Sequence, residues 1–476
     1  MNRFKIVTLG CKVNQYESEY LREGLLMLGW EEARDDEPTD LCIVNTCTVT
    51  GDADQKSRKY IRHLARVHPQ AELLVTGCYA TRSPAEVARL PGVTRVITDK
   101  SELPNFLRQL GLDNPPTGIS GFGRRHRAFV KVQDGCALRC SYCIIPSVRQ
   151  KVVSRPVDEI LEEIRRLLEA DYREIVLTGI HLGHYGIDFA PKEFKIDRTA
   201  PSSRTGHSAR GGAQSTGLGG LVSLKQGRTH RLVELLERIL TLGEGFRIRL
   251  SSLEAVELSP ELLNLMKAFP TRICHHLHLP MQSGSDRILA RMRRRWAAPQ
   301  FVERCLAVQA ALHLPALTTD VMVGFPGETA EDFEATRRVI EAVRFAKLHV
   351  FRFSPREGTP AMEMPDQIPG YIKQQRAESL INLGEKLRAE YISKLDGSYL
   401  QVLVENVEAS EPGSAWAMAD RYVPVLVEGG AKLVGELVTV KVHLDPQGRL
   451  RGICQAELDS AQVAARSATR EVLARS

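Results

Sequence analysis

Apolar positions along this chain fall in two rhythms, and they separate strands from helices. Three short apolar runs come first, FKIVTL (4–9), LCIVNT (41–46) and AELLVTG (71–77), each of the length of a buried strand. Between the first two, QYESEYLREGLLMLG (15–29) reads as a helix. Strands alternating with helices predict an α/β domain with a parallel sheet over 1–112. GLDNPPTGISGFG (111–123) then loses all periodicity, and a linker is expected at 113–124.

The alternation resumes over a longer span. Strands are predicted at AFVKVQD (128–134), EIVLTGI (174–180), RIRLSS (247–252), HLHLPMQ (276–282), ALTTDVMVGF (316–325) and KLHVFRF (347–353). Between the first two, residues 155–170 place Val157, Ile160, Leu161, Ile164, Leu167 and Leu168 on one helical face, with Pro156 in the first turn. Six β/α units over 125–370 predict an open or partial parallel barrel. Residues 190–230, rich in Ser, Gly, Thr and Arg, interrupt it and are expected to be a disordered surface insertion. After a charged helix (371–395), the runs YLQVLVENV (399–407), YVPVLVE (422–428) and ELVTVKVHLD (436–445) predict a small β-barrel within 388–458. The tail at 459–476 is expected to be a frayed helix or disordered.

Composition narrows the class. A length of 476 residues suggests about three domains. The net charge of +6 is mild, but GRRHR (123–127), KSRK (56–59) and RMRRRW (291–296) concentrate it enough to permit a polyanionic partner. MNRFKIVTLG enters a strand directly, without an apolar signal core, and no apolar run approaches membrane-spanning length. A cytoplasmic protein without a membrane is therefore expected. In that compartment clustered cysteines more often bind metal or do chemistry than form disulfides.

The stretch DGCALRCSYCIIP (134–146) carries Cys136, Cys140 and Cys143. A structural zinc site normally takes four protein ligands, and a disulfide would strand one thiol. Three thiolates suit an iron–sulfur cluster with one iron left open for an external ligand. The loop follows the first barrel strand, at the end of the sheet where such barrels put their chemistry. Other strand ends on that rim carry Thr178 and Gly179, Ser252 and Glu254, Gln282 followed by SGS, and GFPGE (324–328). Gly and Ser are common in βα turns, but polar groups gathered on one rim also suit a cofactor with amino-acid, ribose and adenine parts. A second set, Cys11, Cys47 and Cys78, follows the three N-terminal strands in TLGC, VNTC and VTGC. A parallel sheet brings these three to one edge, where a second three-thiolate cluster is favoured over small buried hydrophobes. Cys42, Cys274, Cys305 and Cys454 are expected to be such hydrophobes.

The C-x3-C-x2-C spacing with Tyr142 before the last cysteine resembles the signature of the radical S-adenosylmethionine (SAM) enzymes. With TLGCKVNQYESE, VNTCTVTGDADQKSR, LTGIHLG, HLHLPMQSGSD and TTDVMVGFPGET, nearly the whole chain resembles the radical SAM methylthiotransferases, and within them the MtaB type. The resemblance implies an N-terminal methylthiotransferase domain, a partial (β/α)6 radical SAM barrel and a C-terminal RNA-binding TRAM barrel. It implies methylthiolation of C2 of N6-threonylcarbamoyladenosine at position 37 of tRNA, next to the anticodon. Cys136, Cys140 and Cys143 would hold the radical-generating [4Fe–4S] cluster, and Cys11, Cys47 and Cys78 the auxiliary [4Fe–4S] cluster that carries sulfur. Tyr142, Thr178, Gly179, Ser252, Glu254 and Gln282 would contact SAM. The implied partners are the tRNA anticodon stem-loop, an electron donor and a sulfur source. The C2 carbon has no acidic proton or leaving group, which is the physical need for a radical cofactor.

Two departures stand out. Gln150 follows Arg149 where the family usually has Gly, which bears on the backbone conformation of that loop. The insertion at 190–230 is more basic than acidic and could touch RNA or be passive. Rival readings are a methylthiotransferase acting on isopentenyl-adenosine in tRNA or on an aspartate of a ribosomal protein. A rival of another class is a non-catalytic Fe–S protein that binds RNA or senses redox state, which would have no need of a SAM pocket.

Overall fold

The computed structural model describes residues 2–34, 37–123, 125–189 and 231–454; the expected insertion at 190–230 and the expected tail lie outside the described residues. The first sheet contains β1 (Arg3–Thr8), β2 (Glu31–Glu32), β3 (Leu41–Thr46), β4 (Glu72–Gly77) and β5 (Val93–Val96). All are parallel, in the order β2-β1-β3-β4-β5. Alternate residues of β3 explain its unbroken apolar run. Ile43 faces one core with Phe4, Leu21, Leu25 and Phe106, while Cys42 and Val44 face another with Ile61, Leu64 and Tyr79. A parallel strand covered on both faces has no solvent side to alternate with.

The expected linker makes specific contacts. Ile119 and Phe122 are fully buried, the Ile119 N–H donates to Glu163, and the Phe122 N–H donates to the Tyr172 hydroxyl. Beyond it come β6 (Arg127–Asp134), the short β7 (Val153–Ser154), β8 (Glu174–Gly179), β9 (Arg247–Leu250), β10 (His276–His278), β11 (Ala316–Val323) and β12 (Lys347–Arg352). They form two sheets, β7-β6-β8-β9 and β10-β11-β12, joined by the single parallel bridges Ile248–Ile273 and Ser252–His278. Apart from the antiparallel β7, these six strands are parallel and in chain order, and β12 does not pair with β6 among the described residues, so the barrel is open. β10 is only three residues long because Pro280 offers no N–H and Gln282 adopts φ 68°. The helix Val157–Glu169 buries Ile160, Leu161, Ile164 and Leu167 against the sheet, as its periodicity predicts.

After the long helix Gly370–Ser393, β13 (Tyr399–Val407), β14 (Ala415–Ala419), β15 (Pro424–Val427), β16 (Leu437–Leu444) and β17 (Leu450–Cys454) close a small barrel in the order β13-β14-β15-β17-β16. This barrel docks on the amino ends of the parallel strands. Arg247 donates to the carbonyls of Gln401 and Met418, Arg249 to those of Ala419 and Asp420, and Glu174 holds both guanidinium groups from between. The carboxyl ends of these strands are left to face the N-terminal sheet.

Candidate active site

The first cysteine loop is shaped by its backbone. Gly135 adopts φ 74°, and a Cβ there would lie 1.9 Å from the Lys151 carbonyl oxygen, so no other residue fits. Gln133 donates to the carbonyls of Asp134 and Gly135 and accepts from the His181 N–H, which ties the loop to the end of β8 beside Thr178 and Gly179. Cys136 Sγ lies 3.5 Å from His181 Nδ1, and His181 Nε2 lies 2.7 Å from Glu257. Cys140 Sγ lies 3.8 Å from an Arg294 nitrogen, and Arg294 also donates to Glu254 and to the Pro280 carbonyl. Glu254 accepts a second bond from Trp296 Nε1 at 3.0 Å. Burial pushes Cys143 up to about 12, with Cys140 and Cys136 adding to it, and burial raises Cys140 against the pull of Arg294.

Cys136, His181 and His184 also place donor atoms within 4.8 Å of one another. The two imidazoles are stacked, 3.6 Å apart and inclined by only 8°. A metal lies in the plane of each imidazole that binds it, and two nearly parallel planes share no such point. This trio therefore does not form a single-ion site as arranged, and His181 is instead a neighbour of the thiol loop.

The second set assembles from three separate strand ends. Cys11 caps the helix Lys12–Met27, Cys47 follows β3, and Cys78 opens the short helix Cys78–Arg82. Gly10, at φ 102°, lets the first loop close on the second: a Cβ there would meet Cys47 Cβ at 2.9 Å. Asn14 Nδ2 bonds the carbonyls of both Leu9 and Thr46, and Thr46 Oγ1 donates to the Thr76 carbonyl. Cys47 feels the charge of both Cys78 and Cys11, and Cys11 that of Cys78. Cys11 is exposed to solvent, yet surrounding protein desolvates its thiol and raises its pKa. Both observations hold if the thiol faces water inside a deep cleft rather than the outer surface.

The two sets face each other. Cys78 packs against Ile144 and Val148, just past Cys143. Arg149, buried, donates to Glu17, Asp134 and Asn14 at 2.8–2.9 Å. Burial opposes the ionisation of Glu17, but Arg149 and Lys131 outweigh it and hold the carboxyl below its usual range. On the other side Arg356, in the segment after β12, donates to Thr48 (2.9 Å) and Asp54 (2.6 Å) beside Cys47. Gln150 is exposed and does not adopt a positive φ, so the loop accommodates a side chain where the family has Gly.

Two family models match the chain, the uncharacterized protein family UPF0004 over residues 3–99 and the Radical SAM superfamily over residues 130–340. The threonylcarbamoyladenosine tRNA methylthiotransferase MtaB of Bacillus subtilis (strain 168) is 35% identical over 455 residues, covering 91% of this chain and 92% of that protein. The tRNA-2-methylthio-N(6)-dimethylallyladenosine synthase of Mycolicibacterium smegmatis is 32% identical over 437 residues, 88% of this chain and 79% of that one. The chain belongs to the radical SAM tRNA methylthiotransferases. Among solved structures, the radical SAM methyltransferase TsrM of Kitasatospora setae matches with 14% identity and a TM-score of 0.49, over 76% of this chain and 77% of that one.

In this methylthiotransferase the residues beside both thiol sets fit an anionic three-thiolate cluster. The buried Nε–H groups of Arg149 and Arg294 have no acceptor among the described residues, and each side chain stands beside one thiol set. Among the SAM contacts expected from sequence, Gly179 reaches the radical loop through its pairing with Gln133, Thr178 pairs with Lys131 one step back on the same strand, and Glu254 reaches the loop through Arg294. The Tyr142 ring turns into an apolar cluster with Phe325, Ile288 and Met292. Ser252 is exposed and bridges to His278, and Gln282 bridges to Val321 on β11; neither hydrogen-bonds a cysteine among the described residues. Sequence reading missed Arg294, which it took only as one charge of a basic cluster but whose side chain is 5% exposed, along with Arg149 as a buried anchor, Arg356 and His181. His181 lay inside the quoted LTGIHLG and Arg294 inside RMRRRW, whereas Arg356 lay in no quoted stretch. Cys42, Cys274 and Cys305 are buried as expected, whereas Cys454 is only partly so.

Proposed function

We propose that this chain methylthiolates C2 of N6-threonylcarbamoyladenosine at position 37 of tRNA, using two [4Fe–4S] clusters and SAM. The observation that carries the chemistry is the facing of two three-thiol sets across Cys78, Ile144 and Arg149. The MtaB relative supports the choice of substrate. Cys136, Cys140 and Cys143 would hold one cluster, leaving an iron open to SAM, and Cys11, Cys47 and Cys78 the other. Bound there, these groups supply the reducing electron, the carbon radical that removes hydrogen from C2, and the sulfur and methyl that replace it. The protein's part is placement. Gln133 orients the radical loop, Arg294 and His181 present N–H groups to its sulfurs, and Thr178, Gly179, Ser252, Glu254, Gln282 and the Tyr142 backbone line the rim on which SAM would lie. An external electron donor and a sulfur source complete the cycle. The closed C-terminal barrel would act as the TRAM module, offering RNA a surface remote from the thiols. No described helix is long and apolar enough to cross a membrane, and a tRNA substrate fits a cytoplasmic location.

The test is anaerobic reconstitution followed by nucleoside mass spectrometry of tRNA. Cys140→Ala should abolish release of 5′-deoxyadenosine, and Cys47→Ala should stop methylthiolation while some release persists. A product on dimethylallyl-adenosine alone would redirect the substrate, and wild-type protein that releases no 5′-deoxyadenosine would sink the enzyme reading.

A further inference from the structure

The inner face of β10–β12 carries a row of polar groups that the cluster chemistry does not use. His276 Nε2 and His278 Nδ1 both meet Thr318 Oγ1, at 3.1 and 2.9 Å, and His278 Nε2 lies 3.3 Å from Asp320. The His349 ring stands edge-on to His278, 5.6 Å away. His278 is two residues before Pro280, whose carbonyl accepts from the Arg294 side chain that also touches Cys140. The row therefore leads toward the radical loop. His278 and Asp320 retain 16% and 28% side-chain exposure, so the face is wet rather than sealed. Phe351, two residues past His349 on the same strand face, is 46% exposed and offers a ring on which a base can stack.

One cation reaches this row from the other half of the molecule. Lys12 opens the helix Lys12–Met27 directly after Cys11, at the sheet end that faces the barrel; burial is the main cause that lowers the pKa of His276 and His349, and the Lys12 charge adds to it at both. Lys12 has no hydrogen-bonded or ion-paired partner among the described residues, and it does not pair with Asp320. A half-buried ammonium held apart from a half-buried carboxylate leaves one site for an anion and one for a donor. The threonylcarbamoyl substituent has both, a free carboxylate and a hydroxyl with urea N–H groups. A dimethylallyl substituent has neither, and would desolvate Lys12 and Asp320 with nothing in return.

We propose that Lys12 is a specificity residue that binds the carboxylate of the substrate's amino-acid substituent, with the His278–Asp320 pair taking its donor groups. The proposal rests on the substrate assigned above and adds which residues read it. The experiment measures binding of anaerobically reconstituted full chain to anticodon stem-loops carrying threonylcarbamoyladenosine, its neutral carboxamide, or plain adenosine. Wild type should prefer the acid over both others by about tenfold, roughly 1.4 kcal/mol. Lys12→Met, with iron content certifying its fold, should bring the acid and the carboxamide to parity while both stay ahead of plain adenosine through the His278–Asp320 pair, and Lys12→Arg should keep most of the preference for the acid over the carboxamide. The proposal is overturned if wild type binds the carboxamide as tightly as the acid, a result that needs no variant. It is also overturned if Lys12→Met keeps the preference, or if it weakens all three loops equally, which would make Lys12 a backbone contact. Failure of the substrate assignment is separate: it would appear as no methylthio product on the acid-bearing loop with wild-type enzyme.

Discussion

Arg149 shows how much one side chain organises. It bonds Glu17 and Asn14 on the helix that Cys11 caps, and Asp134 at the end of the strand that feeds the radical loop. Replacing it with Met would keep length but leave Glu17 without its main counter-charge and Asp134 with Lys131 alone. Breaking such a buried group typically costs about 3–5 kcal/mol. Thermal unfolding of the reconstituted protein should show a midpoint lowered by several degrees for Arg149→Met, and a smaller drop for Arg149→Lys, which keeps the charge but loses the fork. A midpoint within a degree of wild type would show that Lys131 alone suffices for Glu17 and Asp134. At this scale sequence was a partial guide. The six cysteines were visible because thiols are rare and their positions after strands are countable. Arg149 was noticed only through its neighbour Gln150, because a chain of letters does not distinguish a solvated arginine from one that holds two elements together.

Among the elements, legibility followed composition. Strands rich in β-branched residues, such as β3, β8 and β11, stand out in the sequence, while AWAMA of β14 and LRGIC of β17 do not, and the closed barrel supplies what their intrinsic preference lacks. The dock of that barrel on β8 and β9 was equally hidden, since RIRL reads as a plain strand until both arginines are found buried against Glu174. Burial alone would raise the Glu174 carboxyl, but Arg249 and Arg247 dominate and hold it far below the ordinary range. A depressed carboxyl stabilises the fold fully above its unfolded pKa, about 4.3, and the contribution fades as pH falls from there toward the folded value. Glu174→Gln should therefore be markedly less stable than wild type at neutral pH, with the gap narrowing below about pH 4.3. A gap that stayed constant down to pH 3 would place the charge coupling elsewhere. The same dock means that deleting the small barrel would uncover two guanidinium groups, which attract RNA, so weaker tRNA binding by such a truncation would count toward RNA contact by the barrel.

For the whole molecule, the governing feature is that two parallel sheets meet with their carboxyl ends toward each other, and the contacts fixing that meeting are remote in sequence. Arg356 reaches Thr48 and Asp54 across 308 and 302 positions. Together with Arg149 and the packing of Cys78 on Ile144 and Val148, it sets the spacing between the thiol sets, which is the spacing over which carbon and sulfur must meet. Misplacing reacting groups by about 1 Å can cost on the order of a hundredfold in rate. Arg356→Ala would free one edge of the N-terminal sheet while leaving every cysteine in place. The expected signature is therefore uncoupling: methylthio product per 5′-deoxyadenosine should fall about tenfold or more, with partial recovery in Arg356→Lys, which can still reach one acceptor. An unchanged ratio would mean that Arg149 and the apolar contact hold the two halves in register without help, and Arg356 would then matter only to the stability of the Cys47 loop.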